Sequence, residues 1–197
     1  MTGVRGPLRI VLAEDETESR EFFQDVLTRL GHRVVGAVGS GRELLEVGSR
    51  DQPDLIITDI KMPDMDGIEA VIALDAIRPV PVILVSAHHD AELVVRAGTD
   101  HIMAYLIKPV KEADLENAIY LAVLRFEHFQ KVRKEAATAR QALEDRKIIE
   151  RAKGIMMKRA RLDEAEAFRR LQKLASEKNK KLVDIAQSIL TAEEAFQ

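Results

Sequence analysis

Residues 1–110 predict an α/β fold, a doubly wound five-stranded parallel sheet, and the residues behind them predict a long helix followed by a three-helix bundle. Three observations carry this. Five short aliphatic runs punctuate the first 110 residues with almost no alternation, as expected of strands covered on both faces. Segments with apolar residues at helical spacing separate the runs. After Lys111 no strand-like run recurs and the pattern is helical to the end.

The first run, Leu8–Ala13, ends on the acids Glu14 and Asp15. Phe22, Val26, Leu27 and Leu30 then follow helical spacing and stop at Gly31, a common helix terminator. Val34–Val38 is the second strand, and Leu44, Leu45 and Val47 before Gly48 mark the second helix. The third strand, Leu55–Thr58, carries Asp59 at its tip and runs into the proline-broken loop IKMPDMDG. The fourth, Val82–Val85, closes on Ser86, and the fifth, Ile102–Ile107, is followed by Lys108 and Pro109. Strand and helix alternating in this way build a parallel sheet whose ligands sit outside the carboxyl ends of its strands.

From Lys111 onward, Leu115, Ile119, Ala122, Phe126 and Phe129 follow heptad spacing, after which the register slips towards Val132, Ala136, Ala139 and Leu143. That is a long helix which lies on its own domain or pairs with another chain. Three segments follow. Ile148, Ile149, Ala152, Ile155 and Met156 share one face of the first. The second begins with a capping-box pattern at Asp163 and Glu166, and its apolar face includes Ala167, Phe168, Leu171, Leu174 and Ala175. The third begins near Asn179, with Leu182, Ile185, Ala186, Ile189 and Leu190 on one face. The expected division is therefore 1–125, a helical linker 126–140 and a basic domain 141–197.

Composition narrows the function class. The chain has 197 residues, 46% of them hydrophobic and 32% charged, with no Cys and no Trp, so thiolate metal sites and disulfides are excluded. No stretch approaches the roughly 20 apolar residues a membrane helix needs, and the expectation is a cytoplasmic protein with no membrane partner. The net charge of −3 hides an asymmetry. Residues 1–135 carry 16 Lys and Arg against 23 Asp and Glu, net −7, whereas residues 136–197 carry 14 against 10, net +4. An acidic front half and a basic tail suggest two tasks, the second involving a polyanion.

In a doubly wound sheet the strand tips bearing Glu14 and Asp15, Asp59, Ser86 and Lys108 converge on one crevice. Clustered carboxylates repel unless a cation is present, and hard oxygen ligands suit Mg²⁺. A Mg²⁺ held by Asp15 and Asp59 would neutralise an incoming phosphoryl group, Lys108 would pair with its oxygens, and the Ser86 hydroxyl would donate a hydrogen bond to it. Asp59 is then the nucleophile. Each element alone has a plainer use: acids after a strand cap helices, and so does a lone Ser. Their conjunction in this order points to phosphoryl chemistry. His88, His89 and His101 are read as loop and helix-start residues, with a metal role as the lesser alternative.

AEDE with Glu14 and Asp15, TDIKMPDMDG with Asp59, LVSA with Ser86, and AYLIKP with Tyr105, Lys108 and Pro109 resemble, in residues and spacing, the receiver domain of two-component response regulators, whose fold is flavodoxin-like. The resemblance covers about the first 125 residues. It implies phosphorylation of Asp59 by a sensor histidine kinase or a small phosphodonor, with Mg²⁺ held by Asp15, Asp59 and the main-chain carbonyl of Lys61, and with Glu14 acting nearby through water. It further implies that Ser86 and Tyr105 form a switch pair, the ring turning inward as the hydroxyl moves, and that the Lys108–Pro109 bond is cis. A receiver is a regulator rather than an enzyme, apart from catalysing its own phosphoryl transfer and slow dephosphorylation.

On a helical wheel Lys147, Arg151, Gly154, Lys158 and Arg161 fall on one stripe, largely opposite the apolar face. Such a stripe can follow a phosphate backbone, or be a solvated face diluted by Glu150. ERAKGIMM, EAEAFRRLQKLAS and NKKLVDIA resemble the ANTAR domain over about 50 residues. That family is an RNA-binding module of transcription antiterminators, understood to bind paired hairpins. The resemblance implies contacts to RNA hairpins in leader transcripts from Lys147, Arg151, Lys158 and Arg161, and from Asn179, Lys180 and Lys181. It also implies a homodimer formed through the linking helix, either constitutively or under phosphorylation control. Phe168, the one internal aromatic here, is assigned to the core. Rival readings are a DNA-binding regulator using the third helix and a protein-binding adaptor with the same receiver. A dehalogenase-type phosphotransferase would need an acid at position 61, where Lys61 stands.

Overall fold

The computed structural model describes residues 6–87 and 102–194. His88, His89 and His101 lie outside them. The chain divides into two compact units, residues 1–130 and 131–197.

In the first unit, strands β1 (Arg9–Ala13), β2 (Arg33–Val38), β3 (Leu55–Asp59), β4 (Val82–Ser86) and β5 (Ile102–Ile107) form one parallel sheet in the order β2-β1-β3-β4-β5. Helices α1 (Thr17–Arg29), α2 (Gly41–Asp51) and α3 (Gly67–Asp75) connect them. The expected strands are all present; β3 and β4 each run one residue further, taking Asp59 and Ser86 into the sheet.

The lack of alternation now has its cause. Ile10, Leu12, Leu55, Ile57, Ile83 and Val85 point to one face, where they bury against Phe23, Val26 and Leu27 of α1 and Leu115, Ala118, Ile119 and Ala122 further along the chain. Val11, Ala13, Ile56, Val82 and Leu84 point to the other, against Leu44 of α2 and Ile68, Val71 and Leu74 of α3. With each fully buried aliphatic side chain contributing about 1.5–3 kcal/mol, the sheet centre is the stability core of this unit. Its position fixes where the strand tips lie.

Helix α4 spans Glu112–Ala160, 49 residues, so the linking helix and the first tail segment are one element. Its early heptad positions serve the first unit itself: Leu115, Ile119 and Ala122 are buried there, with Phe126 packed beside them. Residues 131–144 are exposed throughout, including Val132 and Leu143.

The second unit combines the end of α4 with α5 (Glu164–Glu177) and α6 (Leu182–Glu194). Ala152 and Met156 pack with Ala167, Leu171, Ala175, Ile185 and Ala186 into a small core, which small side chains allow the helices to approach closely enough to close. Phe168 departs from expectation. It is 37% exposed and lies outside that core, because Ala167 and Leu171 already occupy the inward positions of α5. Arg161 also departs: α4 ends at Ala160 and Arg161 is left-handed at φ 54°, so it stands off the helical stripe. Asn179 precedes α6 by three residues and is left-handed at φ 49°. Its amide donates to the Ser176 carbonyl and that of Lys180 to the Ala175 carbonyl, closing the end of α5 in a conformation Asn tolerates better than most residues.

The capping box at α5 is formed as its spacing predicts: Asp163 accepts from the Glu166 amide at 2.7 Å, and Glu166 accepts from the Asp163 amide at 3.3 Å. Asp163→Ala should therefore cost about 1 kcal/mol, measured as faster hydrogen exchange in the first turn of α5 while the exchange of β3 and β4 amides stays unchanged.

Candidate functional site

The sheet order reverses between β1 and β3, which opens a crevice at their carboxyl ends. Strand register brings the tips level. Ala13 pairs with Thr58, so Glu14 lies beside Asp59; Asp59 pairs with Val85, and Ser86 with Ile107, the residue before Lys108. The Lys108–Pro109 peptide bond is cis.

Lys108 Nζ sits between two carboxylates, 2.7 Å from Asp59 Oδ2 and 2.8 Å from Glu14 Oε1. Both acids are nearly buried, Glu14 at 1% and Asp59 at 7% exposure. Burial pushes the Glu14 carboxyl above its ordinary value, and the hydrogen bond and charge of Lys108 offset this only in part. For Lys108, burial works against the ammonium, but its hydrogen bonds to Asp59 and Glu14 and their charges outweigh that and raise it. The cation therefore stays charged where it faces the acids. The second oxygen of Asp59, Oδ1, accepts from the Lys61 amide at 3.1 Å, which orients the carboxylate in the crevice.

Neither Glu14 nor Asp15 caps α1, whose N-cap is Glu16. Instead the carbonyls of both acids accept from Arg20 Nη1, at 2.6 Å and 3.3 Å, which ties the β1–α1 turn to the next helix. Arg20 is a member of the site that sequence reasoning missed. Its place one turn into an otherwise plain amphipathic helix gave no signal. Asp15 is exposed and presents its carboxylate to the opening.

Two glycines shape the acceptor loop. A side chain at Gly67 would collide with the Asp59 carbonyl, and one at Gly41 with the Met65 carbonyl. The loop can therefore fold back over the tip of β3 only if both positions lack Cβ. Asp66 caps α3 by accepting from the Glu69 amide at 2.7 Å, which fixes where the loop ends.

Ser86 is buried at the tip of β4, and its carbonyl accepts from the Lys108 amide at 2.9 Å. Tyr105 is half-buried and packs on the α2–α3 side of the core.

Glu14, Asp15 and Asp59 each offer one oxygen, and these lie within 4.8 Å of one another. Glu14 Oε2 is buried, and its one close polar neighbour is Lys108 Nζ at 2.7 Å, off the line of a good hydrogen bond. Three convergent oxygens, with no sulfur or imidazole among the described residues there, suit a hard divalent cation.

In the second unit Arg151 and Lys158 are exposed, and Lys147 is exposed but pairs with Glu144 at 2.8 Å. Gly154 has open space where a side chain would stand. Lys180 and Lys181 are exposed just before α6. Lys153 belongs to the interior instead: 7% exposed, it pairs with Glu150 at 2.8 Å and Glu164 at 2.7 Å, and its ammonium lies 5.8 Å from the centre of the Phe168 ring.

The sequence matches the model of the response regulator receiver domain over residues 10–120, more than half of the chain, and that of the ANTAR domain over residues 137–190. It is 37% identical over 184 residues to the transcriptional regulatory protein PdtaR of Mycobacterium tuberculosis, covering 93% of this chain and 90% of that one. It is 29% identical over 112 residues to the chemotaxis protein CheY of Thermotoga maritima, covering 56% of this chain and 93% of that protein. Among solved structures, a response regulator receiver domain protein from Clostridium thermocellum superposes with a TM-score of 0.56 at 29% identity, over 61% of this chain and 98% of that one.

Replacing Lys108 by Met should leave three acids facing one another without their counter-charge. Without divalent cations the variant should lose about 1–3 kcal/mol of stability. Added Mg²⁺ should raise its melting temperature by more than it raises that of the parent, as followed by thermal unfolding with and without the salt.

Proposed function

Because this chain belongs to the response regulator receiver family and carries an ANTAR domain behind its receiver, we propose that it is a phosphorylation-controlled, RNA-binding transcription antiterminator. The observation that carries the input half is the Asp59 carboxylate, held at the tip of β3 between the Lys108 ammonium and the Lys61 amide. In this reading an Asp59 oxygen forms a bond to phosphorus while the bond to the histidine nitrogen of a sensor kinase breaks; that nitrogen keeps the electron pair, and the ring leaves as neutral imidazole because its other nitrogen carries a proton. Small acyl phosphates would serve as alternative donors.

Lys108 would let go of part of its hold on Glu14 and Asp59 and pair with the phosphoryl oxygens, an electrostatic contribution made where charge arrives. Asp15, Asp59 and the Lys61 carbonyl would hold Mg²⁺, with Glu14 acting nearby through water, and the ion when bound offsets the negative charge of the incoming phosphoryl group. Ser86, buried beside the site, would donate its hydroxyl to the phosphoryl group, and Tyr105 would follow it inward as the switch. Apart from this self-catalysed transfer and its slow reversal by water, the chain would act as a regulator and not an enzyme.

The output would lie in residues 141–197, reached through the linker 126–140. Arg151 and Lys158 on α4, with Lys180 and Lys181 before α6, are the exposed cations best placed to follow an RNA backbone. Lys147 would join them by exchanging Glu144 for a phosphate. Arg161 and Asn179 sit in left-handed turns at helix ends, which supports a role in shaping the surface at least as well as direct contact. Exposed Leu121, Leu124, Val132 and Leu143 on α4 support pairing with a second copy, which would present two tails to two hairpins. Phosphorylation would then act by shifting the population of that paired state.

Two measurements test this reading. Incubation with a small acyl phosphate and Mg²⁺ should add one phosphoryl group to the parent and none to Asp59→Asn, read by intact mass; retention of the group by the variant would remove Asp59 as acceptor. Phosphorylated parent should also bind structured leader RNAs in preference to duplex DNA, read by filter binding. Preference for duplex DNA, or no RNA binding in either state, would overturn the antiterminator reading.

A further inference from the structure

At the opposite end of the sheet from the acid cluster, the amino ends of β1 and β2 border a cleft of about 640 Å³ lined by Arg9, Arg33, Val34, Val35, Arg50 and Asp51. Three arginines therefore line one concavity on a unit whose sequence is acidic overall. Arg9 and Arg33 are register partners on adjacent parallel strands, so two permanent like charges begin neighbouring strands side by side, an arrangement that Coulomb repulsion disfavours unless something negative lies between them.

The acids nearby supply only part of that charge: the Asp51 carboxylate acts on Arg9 through its field, but its bonds go elsewhere. Asp51 is engaged by Arg50 through two parallel bonds, at 2.9 Å and 2.8 Å, and the Arg9 guanidinium donates at 2.7 Å to the Asp51 carbonyl rather than to its carboxylate. Asp54 accepts from the Arg9 main-chain amide at 2.9 Å, and Glu46 reaches Arg50 only through its field. Arg33 has no ion pair or side-chain hydrogen bond among the described residues. The cleft thus keeps one uncommitted guanidinium and a second with donors to spare.

From this arrangement we propose that the cleft binds a small anion carrying a diphosphate group, with Arg33 and Arg9 as its forked donors. The size falls in the range of small-molecule sites, roughly 300–1,000 Å³. The lining, two valines against three arginines and an aspartate, suits a compact, highly charged ligand better than an apolar one. Arg pairs with phosphate oxygens through two parallel N–H···O bonds; an orthophosphate could take both forks only by bringing the two guanidinium groups onto one phosphorus, whereas a diphosphate gives each fork its own phosphate group and carries more charge. The diphosphate could be free pyrophosphate or that of a nucleotide. Arg9 also ties β1 to the end of α2 through the Asp51 carbonyl, so an occupant would brace that end of the first unit.

The test is calorimetric titration of the full chain at fixed ionic strength without divalent cations, using pyrophosphate, orthophosphate and ADP. Pyrophosphate should bind with a Kd below about 1 mM, and orthophosphate at least about tenfold more weakly. Arg33→Ala should weaken pyrophosphate at least about tenfold, while Arg33→Lys, which keeps the charge but loses the fork, should fall between. Both variants should melt where the parent does without ligand. Asp59→Asn and the double change Lys147→Ala with Arg151→Ala should bind as the parent does, which separates this site from the acceptor and the basic tail. ADP matching pyrophosphate means that the diphosphate alone is recognised, and tighter ADP binding that the nucleoside also finds contacts; either supports the site. Absence of heat up to about 10 mM pyrophosphate, binding indifferent to Arg33→Ala, or loss of binding with the tail variant instead would overturn it.

Discussion

The Lys108 ammonium held between Glu14 and Asp59 is the interaction on which the acid crevice depends. Carboxylates from two adjacent strand tips stand within a few ångströms of each other, almost removed from water. Two such charges at 4 Å repel by about 4 kcal/mol at the effective dielectric of a partly solvated site. A cation delivered from the tip of a third strand offsets that repulsion. Because β5 supplies Lys108, the strand order must carry β5 into the same sheet, and its register must end level with Ser86. The topology of the fold and the charge balance of the site are one constraint.

That arrangement also explains why the site can change state. Lys108 is shared between two acids and dedicated to neither, while Asp59 has one oxygen on the ammonium and one on a backbone amide. A newly arrived anion on Asp59 would compete for the same ammonium, and Glu14 would then lose part of its counter-charge. Burial raises the Glu14 carboxyl in spite of Lys108, which marks where the balance is least complete.

Much of this was legible in the sequence, and the reasons are local. The five strands announced themselves because burial on both faces demands unbroken aliphatics, and the tip residues because acids, a hydroxyl and a lysine, each ordinary alone, end four such runs in one order. The capping box at Asp163 was equally plain, since it depends on two residues three apart. What escaped notice depends on tertiary packing. Phe168 was assigned inward from its helical spacing, but the wheel cannot say that Ala167 and Leu171 suffice to fill so small a core. Arg161 continued the stripe on paper, whereas the helix stops one residue earlier. Arg20 and the arginine cleft could not be found from spacing at all, because their partners lie on other strands and turns. The early heptad of α4 was ambiguous between the chain's own domain and a second chain, and the first unit claims Leu115, Ile119 and Ala122 for itself.

In the proposed function Glu14, Asp15 and Asp59 form a cation-binding acceptor crevice organised by Lys108. Titration of isotopically labelled protein with MgCl₂, followed through the backbone amide resonances, tests it most directly. Saturable shifts are expected at Glu14, Asp15, Asp59, Lys61 and Lys108, with little change in α5 and α6. Shifts that never saturate, or that fall elsewhere and spare these strand tips, would contradict it.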